Sequence, residues 1–320
     1  MGALAAIGGW IMRLLRWTAV LALVSVGVLL GGWLLLKPDT PPTPPALPEP
    51  YQGETFAERP LAPPAAAAPV ADCEAPAQYA VAARANADSA VSLVWTPFGP
   101  EEVGWEIYGP LIAQEIGTAC SFGQPGFAVA LAGWQRRHGP THDGILRPAD
   151  FEMMKQIWHR RRPFSKIRPE DCPPPHADLT FAGSTEVYGR PMQLRPGTLA
   201  AYRRMIAAAR AEAPEIFARP EALKIFSAFR DPEADAARCE TDGNCDGLRR
   251  TLCSAHRTGL ALDLHVGMAA GGDPASTANF NRLAQSRDPA YRWLVRNAHR
   301  FGFVNYAFEP WHWEWTGEPV

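Results

Sequence analysis

The feature that most limits what this chain can fold into is an uncharged run close to its start. The twenty residues from Trp17 to Leu36 include no charged side chain, and at about 1.5 Å per residue a helix of that length crosses a bilayer core of roughly 30 Å. Arg13 and Arg16 precede the run, so the positive-inside rule places the N-terminus in the cytoplasm and the rest of the chain outside. We therefore expect a cytoplasmic tail over residues 1–16 and a single transmembrane anchor over residues 17–36.

A cleaved signal peptide is the alternative to a membrane anchor, and two features of this region argue against it. The run is long for a signal peptide, and no A-x-A cleavage site follows it directly. Residues 37–78 are rich in Pro and Ala and contain little that could form a core, which indicates a linker. In the polyproline II conformation, at about 3.1 Å per residue, this linker could hold a folded domain up to about 120 Å from the membrane.

The cysteines and the net charge limit the chemistry that we expect. All six cysteines lie on the presumed exported side, where an even number predicts disulfides, although the pairing cannot be read from the sequence. Zinc binding by Cys239, Cys245 and Cys253 is the alternative, but the chain has no C-x-x-C pair. The net charge of −2 gives no reason to expect nucleic acid as a partner.

Residues 79–165 show helical periodicity and predict a small helical subdomain. In GFAVALAGWQRRHG and RPADFEMMKQIW the apolar residues recur with the spacing of one helix face. These residues are Phe127, Ala130, Leu131, Trp134, Phe151, Met154 and Trp158. With Gln135 before a turn at Asp143 and Gly144, the pattern resembles the peptidoglycan-binding-like three-helix module. A plain helical subdomain is the alternative.

Residues 170–320 mix helical and strand patterns. PGTLAAYRRMIAAARAEAP has one apolar helical face, and DPAYRWLVRNAHRFG predicts a helix from an Asp288 cap to a stop at Gly302. ALKIFSAF and FGFVNYAF are short apolar runs of the kind that form strands. The order of these elements predicts an α+β fold, with helices packed on a small, mainly antiparallel sheet.

Two stretches of this second part contain residues that could carry catalysis. CSAHRTGLALDLHVG places His256 seven residues before Asp263, and EPWHWEW places Glu309 three residues before His312. Two imidazoles and a carboxylate could bind Zn²⁺ and leave a position open for water, with the second carboxylate as a base. Odd separations put side chains on opposite faces of a straight strand. Each pair can therefore meet on one side only if the strand is interrupted between its two residues.

Gly259 and Pro310 are the residues that could interrupt the strands. His265 would share a strand face with Asp263, so it competes as a ligand, although we interpret it as a neighbour of the ligands. His299 lies on a predicted helix and is interpreted as a surface or capping residue. The final tryptophans could form either a sugar platform or the core and rim of a terminal strand; they are Trp311, Trp313 and Trp315.

The pattern SAHRTGLALD followed by EPWH resembles the zinc D-alanyl-D-alanine carboxypeptidases of the VanY type. These enzymes belong to the wider group of lysostaphin-like, D-Ala-D-Ala and Hedgehog-type metallopeptidases, and the similarity covers about Asp178 to Gly317. The resemblance implies that His256, Asp263 and His312 bind zinc and that Glu309 is the catalytic base.

The resemblance also implies two residues that contact the substrate. The family's S-G-Y-R is matched by SAFR, so Arg230 would stabilise the oxyanion of the tetrahedral intermediate, and Ser254 would lie beside the substrate. A structural salt bridge is the alternative role for Arg230. The chain departs from the family where Ala228 and Phe229 replace Gly-Tyr, and where Asp235 stands in the place of a frequent Gln.

The function that the resemblance implies is that of a zinc D,D-carboxypeptidase acting on peptidoglycan stem peptides. With the predicted anchor, the catalytic domain would lie in the bacterial periplasm and be attached to the inner membrane. An endopeptidase that cuts cross-links or other stem-peptide bonds is the second enzymatic hypothesis. A non-catalytic wall-binding protein is the third, although a structural zinc site has no need of a free carboxylate such as Glu309 beside an open position.

Overall fold

The computed structural model describes residues 72–74, 76–139, 141–168, 171–242 and 253–320. The predicted anchor and nearly all of the predicted linker lie outside these ranges. Inside them, no helix combines the length and the apolar character that crossing a membrane requires.

The first part of the described chain is helical, as predicted. Its α-helices are α1 (Ala80–Ser92), α2 (Gly109–Ile116), α3 (Pro125–His138) and α4 (Pro148–Arg161). Two short strands, β1 (Val94–Trp95) and β2 (Glu102–Val103), pair antiparallel between α1 and α2. Helices α2, α3 and α4 have proline in their first turn, where the missing N–H group costs no intrahelical hydrogen bond.

The turn between α3 and α4 explains the Gln and the D-G pair of the sequence pattern. Gly144 has a φ of 76°, and a Cβ there would collide with the carbonyl of Ala128. Gln135 is fully buried and accepts a hydrogen bond from the Gly144 amide at 2.9 Å. Its own amide donates to the carbonyl of Ile145 and to Asp150, both at 3.0 Å. A buried amide therefore closes the turn that joins the two helices.

The second part has the predicted α+β architecture. Its helices are α5 (Pro196–Glu212), α6 (Pro232–Asp242), α7 (Asn279–Arg287) and α8 (Pro289–Asn297). Its strands are β3 (Thr180–Phe181), β4 (Gln193–Leu194), β5 (Ile225–Ser227), β6 (Ala261–Leu264), β7 (Phe303–Tyr306) and β8 (Glu309–Trp315). Strands β5 to β8 form one antiparallel sheet in the order β5-β6-β8-β7, and β3 pairs with β4.

The helix predicted between Asp288 and Gly302 is confirmed. Asp288 caps α8 by accepting a hydrogen bond from the Ala290 amide, and a 3₁₀ turn over Ala298–Phe301 continues the helix to Gly302, which has a φ of 84°. Helix α5 likewise buries the predicted face, which consists of Leu199, Tyr202, Met205 and Ala209, with Ile206 half-buried.

The helical part and the sheet share one core. The described residues fall in one compact unit, and Trp134, Phe151 and Met154 of the helical part are fully buried in the same cluster as the sheet residues. A buried ion pair joins the parts, with Arg282 of α7 3.0 Å from Glu102 of β2. The helices before residue 165 are therefore packed against the domain that contains the candidate site.

The cysteines of the described chain are in disulfides, as predicted. The pairs are Cys73–Cys120 and Cys172–Cys253, and Cys239 is also disulfide-bonded. None of the cysteines that the structure describes is free. The alternative of a zinc site on Cys239, Cys245 and Cys253 is wrong, because two of those sulfurs are in disulfides; Cys245 lies outside the described residues.

Candidate metal centre

Three buried side chains meet on the four-stranded sheet. One ligand atom from each of His256, Asp263 and His312 can be chosen so that all lie within 4.8 Å of one another. Asp263 in β6 and His312 in β8 are direct partners across the sheet. The structure thus brings together the three residues that the sequence singled out as metal ligands.

His256 reaches the cluster because the chain turns sharply before β6. It lies in a 3₁₀ turn over Ala255–Thr258, which ends at Gly259 in the left-handed conformation with a φ of 68°. A Cβ at Gly259 would also lie only 3.0 Å from the side chain of Leu179. The odd spacing of seven residues is therefore accommodated by a turn at the glycine that the sequence indicated.

Glu309 and His312 are brought to one side by an irregularity in the pairing of β7 with β8. Asn305 pairs with Trp313, but the next residue, Tyr306, pairs with Glu309. Strand β8 therefore advances four residues where β7 advances one, so the residues between Glu309 and Trp313 bulge out of the β7–β8 pairing. As a result, Oε2 of Glu309 lies 3.9 Å from Nδ1 of His312.

Asn305 stabilises this bulge and was not anticipated from the sequence. Its side-chain amide donates to the carbonyl of His312 at 2.8 Å and to that of Glu309 at 3.2 Å. Its own oxygen accepts a hydrogen bond from the hydroxyl of buried Tyr291 at 3.3 Å. A lone amide in the β-forming run FGFVNYAF is the only signal that could have drawn attention to it.

Replacing Asn305 by Ala is expected to lower the free energy of unfolding by about 1–3 kcal/mol, because buried carbonyls of the bulge lose their donor. Zinc affinity should also fall, since the bulge places His312 beside Asp263. Urea unfolding and a chelator-competition titration measure the two effects. Asn297→Ala is the matched control, because that amide donates to the Trp293 carbonyl of its own helix and accepts from exposed Arg300, away from the bulge. Equal stability and zinc affinity in the two variants would contradict this role.

The hydrogen bonds of the two histidines indicate which nitrogen faces the centre. Nδ1 of His256 lies 2.8 Å from the carbonyl of Ala228, which can only accept, so Nδ1 carries a proton and Nε2 is left to face Asp263 at 3.3 Å. His312 points Nδ1 at Asp263, at 2.9 Å, and Nε2 at Glu314, at 3.3 Å. The candidate ligand atoms are therefore Nε2 of His256 and Nδ1 of His312.

The electrostatics of the cluster fit a cation. Burial by itself would lower the pKa of His312, but hydrogen bonds to Asp263 and Glu314 raise it to about 9. Burial by itself would raise the pKa of Asp263, but the two histidines hold it well below its usual range. The aspartate is thus a carboxylate at neutral pH, and positive charge is stabilised beside it. Two imidazoles and a carboxylate in one buried cluster form the donor set of a three-ligand catalytic zinc site.

Arg230 lies next to this cluster and is tied to Ser254. Its guanidinium donates to Oγ of Ser254 at 3.1 Å and to Asp235 at 3.3 Å, and its backbone amide donates to the carbonyl of His256 at 3.3 Å. The salt bridge considered as an alternative is thus present. Its backbone hydrogen bond also places Arg230 beside a candidate metal ligand, His256.

Asp235, which replaces the family's frequent Gln, joins the groups around Arg230. It is buried, accepts hydrogen bonds from the amide and the hydroxyl of Ser254 at 3.1 and 2.9 Å, and pairs with Arg257 at 3.1 Å. A neutral amide could not form ion pairs with two guanidinium groups. The substitution therefore changes the charge of this corner of the site.

The other histidines and the tryptophans lie apart from the cluster. His265 is buried against Tyr188, with ring centroids 5.6 Å apart; burial lowers its pKa, and the charges that act on it belong to Glu221, Arg219 and Asp288. His265 is not part of the cluster of His256, Asp263 and His312. His299 is exposed, as expected. Trp311 and Trp313 are buried in the core and Trp315 is half-buried, which contradicts the sugar platform.

An open groove of about 530 Å³ lies between α4 and β7, and its lining does not include the candidate ligands or Glu309. Tyr306 lines it, and the ring of this tyrosine is 6.1 Å from the ring of His312. The opposite wall comes from the helical part and includes Lys155, His159 and Arg162. Both parts of the described chain therefore line this groove.

Residues 191–318 match the family model of the VanY D-alanyl-D-alanine carboxypeptidases, which confirms the resemblance noted in the sequence. No curated protein gives a significant match to the chain. Among solved structures, the LdcB LD-carboxypeptidase is 20% identical, with 45% of this chain and 70% of that chain covered and a TM-score of 0.34.

Two further solved structures are forms of VanY. A mutant of the vancomycin-resistance D,D-pentapeptidase VanY in complex with Zn(II) is 18% identical, with 45% of this chain and 83% of that chain covered and a TM-score of 0.26. VanYB in complex with D-alanine-D-alanine is 18% identical, with 47% of this chain and 84% of that chain covered and a TM-score of 0.29.

Proposed function

We propose that this protein is a zinc-dependent peptidase that removes the terminal D-Ala from peptidoglycan stem peptides. The match of residues 191–318 to the family model of the VanY D-alanyl-D-alanine carboxypeptidases supports this proposal. The observation that carries the proposal is the buried cluster of His256, Asp263 and His312 with Glu309 at its edge. The family match alone would also fit a chain that has lost its activity, but this chain retains all three candidate ligands and the candidate base Glu309.

Zinc held by His256, Asp263 and His312 would supply a Lewis acid that polarises the scissile carbonyl and lowers the pKa of water. The side chain of Glu309 is about 25% exposed, so it can exchange protons with a substrate and with water. Its carboxylate takes the proton from the attacking water and gives it to the departing amine of D-Ala, as a general base and then a general acid.

Arg230 and Ser254 would act on the substrate beside the centre. A guanidinium is permanently charged and planar, which suits the oxyanion that develops at the scissile carbonyl. The Asp235 carboxylate and the Ser254 hydroxyl fix the orientation of Arg230. Ser254 is only partly buried, so it can also contact the peptide.

We place the enzyme at the bacterial inner membrane, with the catalytic domain in the periplasm. The uncharged run over residues 17–36 supports a membrane anchor. The disulfides support an oxidising compartment. In this position the domain would have access to peptidoglycan.

Incubation of the full-length protein with zinc and defined muropeptides tests this function, with the products read by mass spectrometry. A pentapeptide muropeptide should lose the mass of one D-Ala residue, and a cross-linked dimer should stay intact. Cleavage of the dimer would favour the endopeptidase hypothesis. No change in either substrate, at full zinc occupancy, would favour a non-catalytic wall-binding protein.

A further inference from the structure

A buried carboxylate, Glu314, lies behind His312 on strand β8. Only 1% of its surface is exposed, and its Oε1 is 3.3 Å from Nε2 of His312. The candidate ligand atom is the other ring nitrogen, Nδ1. A carboxylate that accepts the other ring proton of a metal-binding histidine fixes the orientation of the ring and raises the basicity of the ligand nitrogen. Glu314 has the position that this role requires.

Glu314 is held by the helical part of the chain. Arg162, directly after α4, donates to Oε1 through Nε and Nη2 at 2.7 and 2.6 Å. The amide of Phe164 donates to Oε2 at 3.0 Å. Both oxygens of the carboxylate are thus bound by residues about 150 positions earlier in the chain.

Arg162 also contacts Tyr306, an aromatic residue that packs against His312. Its guanidinium lies over the ring of Tyr306, 4.1 Å from the centroid, and that ring stands edge-on to His312 at 6.1 Å. Arg162 therefore contacts both Glu314 and Tyr306, the charged and the aromatic neighbours of His312.

A second connection runs from Glu102 of the helical part, through Arg282 of α7, to the residue before Glu309. Arg282 is fully buried, pairs with Glu102 at 3.0 Å, and donates through Nε to the carbonyl of Phe308 at 2.9 Å. Phe308 precedes Glu309 directly. The helical part is thus connected to the chain on both sides of the bulge.

We propose that Glu314 is a positioning residue for His312 and that Arg162 acts through it, so that the helical part of the chain is needed for metal binding at the catalytic centre. This inference rests on the proposed function. It assigns to the helical part a role in building the site, in place of a role as a separate wall-binding module.

The test measures zinc affinity of the full-length protein by competition with a chelator, together with urea unfolding of the zinc-free form. Glu314→Gln keeps the shape but removes the charge, and Arg162→Met removes the group that holds Glu314. Each should weaken zinc binding by about 10- to 100-fold. Arg162→Lys should recover part of the loss, since it restores the positive charge.

The matched control is Arg161→Met. Arg161 is the last residue of α4, directly before Arg162, and pairs with Glu115 at 2.7 Å, but its side chain is about half exposed. Its substitution should leave zinc affinity within about twofold of the original protein, because exposed pairs contribute little. A zinc effect equal to that of Arg162→Met would overturn the inference.

The double variant Arg162→Met with Glu314→Gln shows whether the arginine acts through the carboxylate. We expect it to bind zinc about as weakly as Glu314→Gln alone, because coupled residues are non-additive. Additive losses, or reduced unfolding stability with unchanged zinc affinity, would overturn the positioning role. A wild-type protein that binds no zinc would overturn the proposed function itself, and this inference with it.

Discussion

Glu309→Gln is expected to lower the turnover of a D-Ala-D-Ala-ended peptide by at least about 100-fold while zinc stays bound. Gln has the size of Glu and keeps a hydrogen-bonding oxygen, so the fold and the ligand cluster should survive. It cannot accept a proton, and general-base steps typically contribute 10²- to 10⁴-fold to the rate. Steady-state kinetics and elemental analysis of the same preparation measure the two quantities.

The matched control for this change is Glu212→Gln. Glu212 ends helix α5 and pairs with Arg300 at 2.7 Å on the surface, so its loss should leave turnover unchanged. Zinc lost together with activity in Glu309→Gln would identify Glu309 as a metal ligand. Full activity with full zinc occupancy would refute its role as the base.

His312→Ala is expected to weaken zinc binding by more than the 10- to 100-fold that changes around a ligand typically cause. The substitution removes one of three donors and leaves the Asp263 carboxylate with a single histidine partner in the cluster. His265→Ala should retain most of the zinc, although it removes packing against Tyr188 and should lower stability. A chelator-competition titration of both variants measures the difference.

The reverse outcome, with zinc lost from His265→Ala and kept by His312→Ala, would move the ligand assignment to His265. Equal retention in both variants would mean that the cluster on the sheet does not bind the metal. Urea unfolding of each zinc-free variant separates a loss of binding from a loss of fold.

The class of the fold and the ligand cluster could be predicted because local patterns determine them. Apolar periodicity gave the buried faces of α3, α4 and α5. The left-handed turn at Gly259 could be anticipated because glycine adopts that conformation without a steric penalty. The motifs around His256 and His312 are contiguous in the chain, so their chemistry was visible before the fold was known.

The contacts that hold the site in place, those of Asn305 and Glu314, could not be predicted because they join residues that are brought together only by the fold. The bulge between β7 and β8 is a property of register, and nothing in EPWHWEW alone shows that Asn305 will bind its carbonyls. Glu314 reads as an exposed charge between two tryptophans until Arg162 is placed against it by packing of the helical part. Such contacts join residues far apart in sequence, where local periodicity carries no information.

The most direct test of the account is a crystal structure of the zinc-loaded protein with anomalous data collected at the zinc edge. The account predicts one strong anomalous peak bonded to Nε2 of His256, a carboxylate oxygen of Asp263 and Nδ1 of His312, with Glu309 beside it and not bonded. A peak at other residues, or none at the cluster in protein that contains zinc, would contradict the central claim that this cluster is the catalytic metal centre.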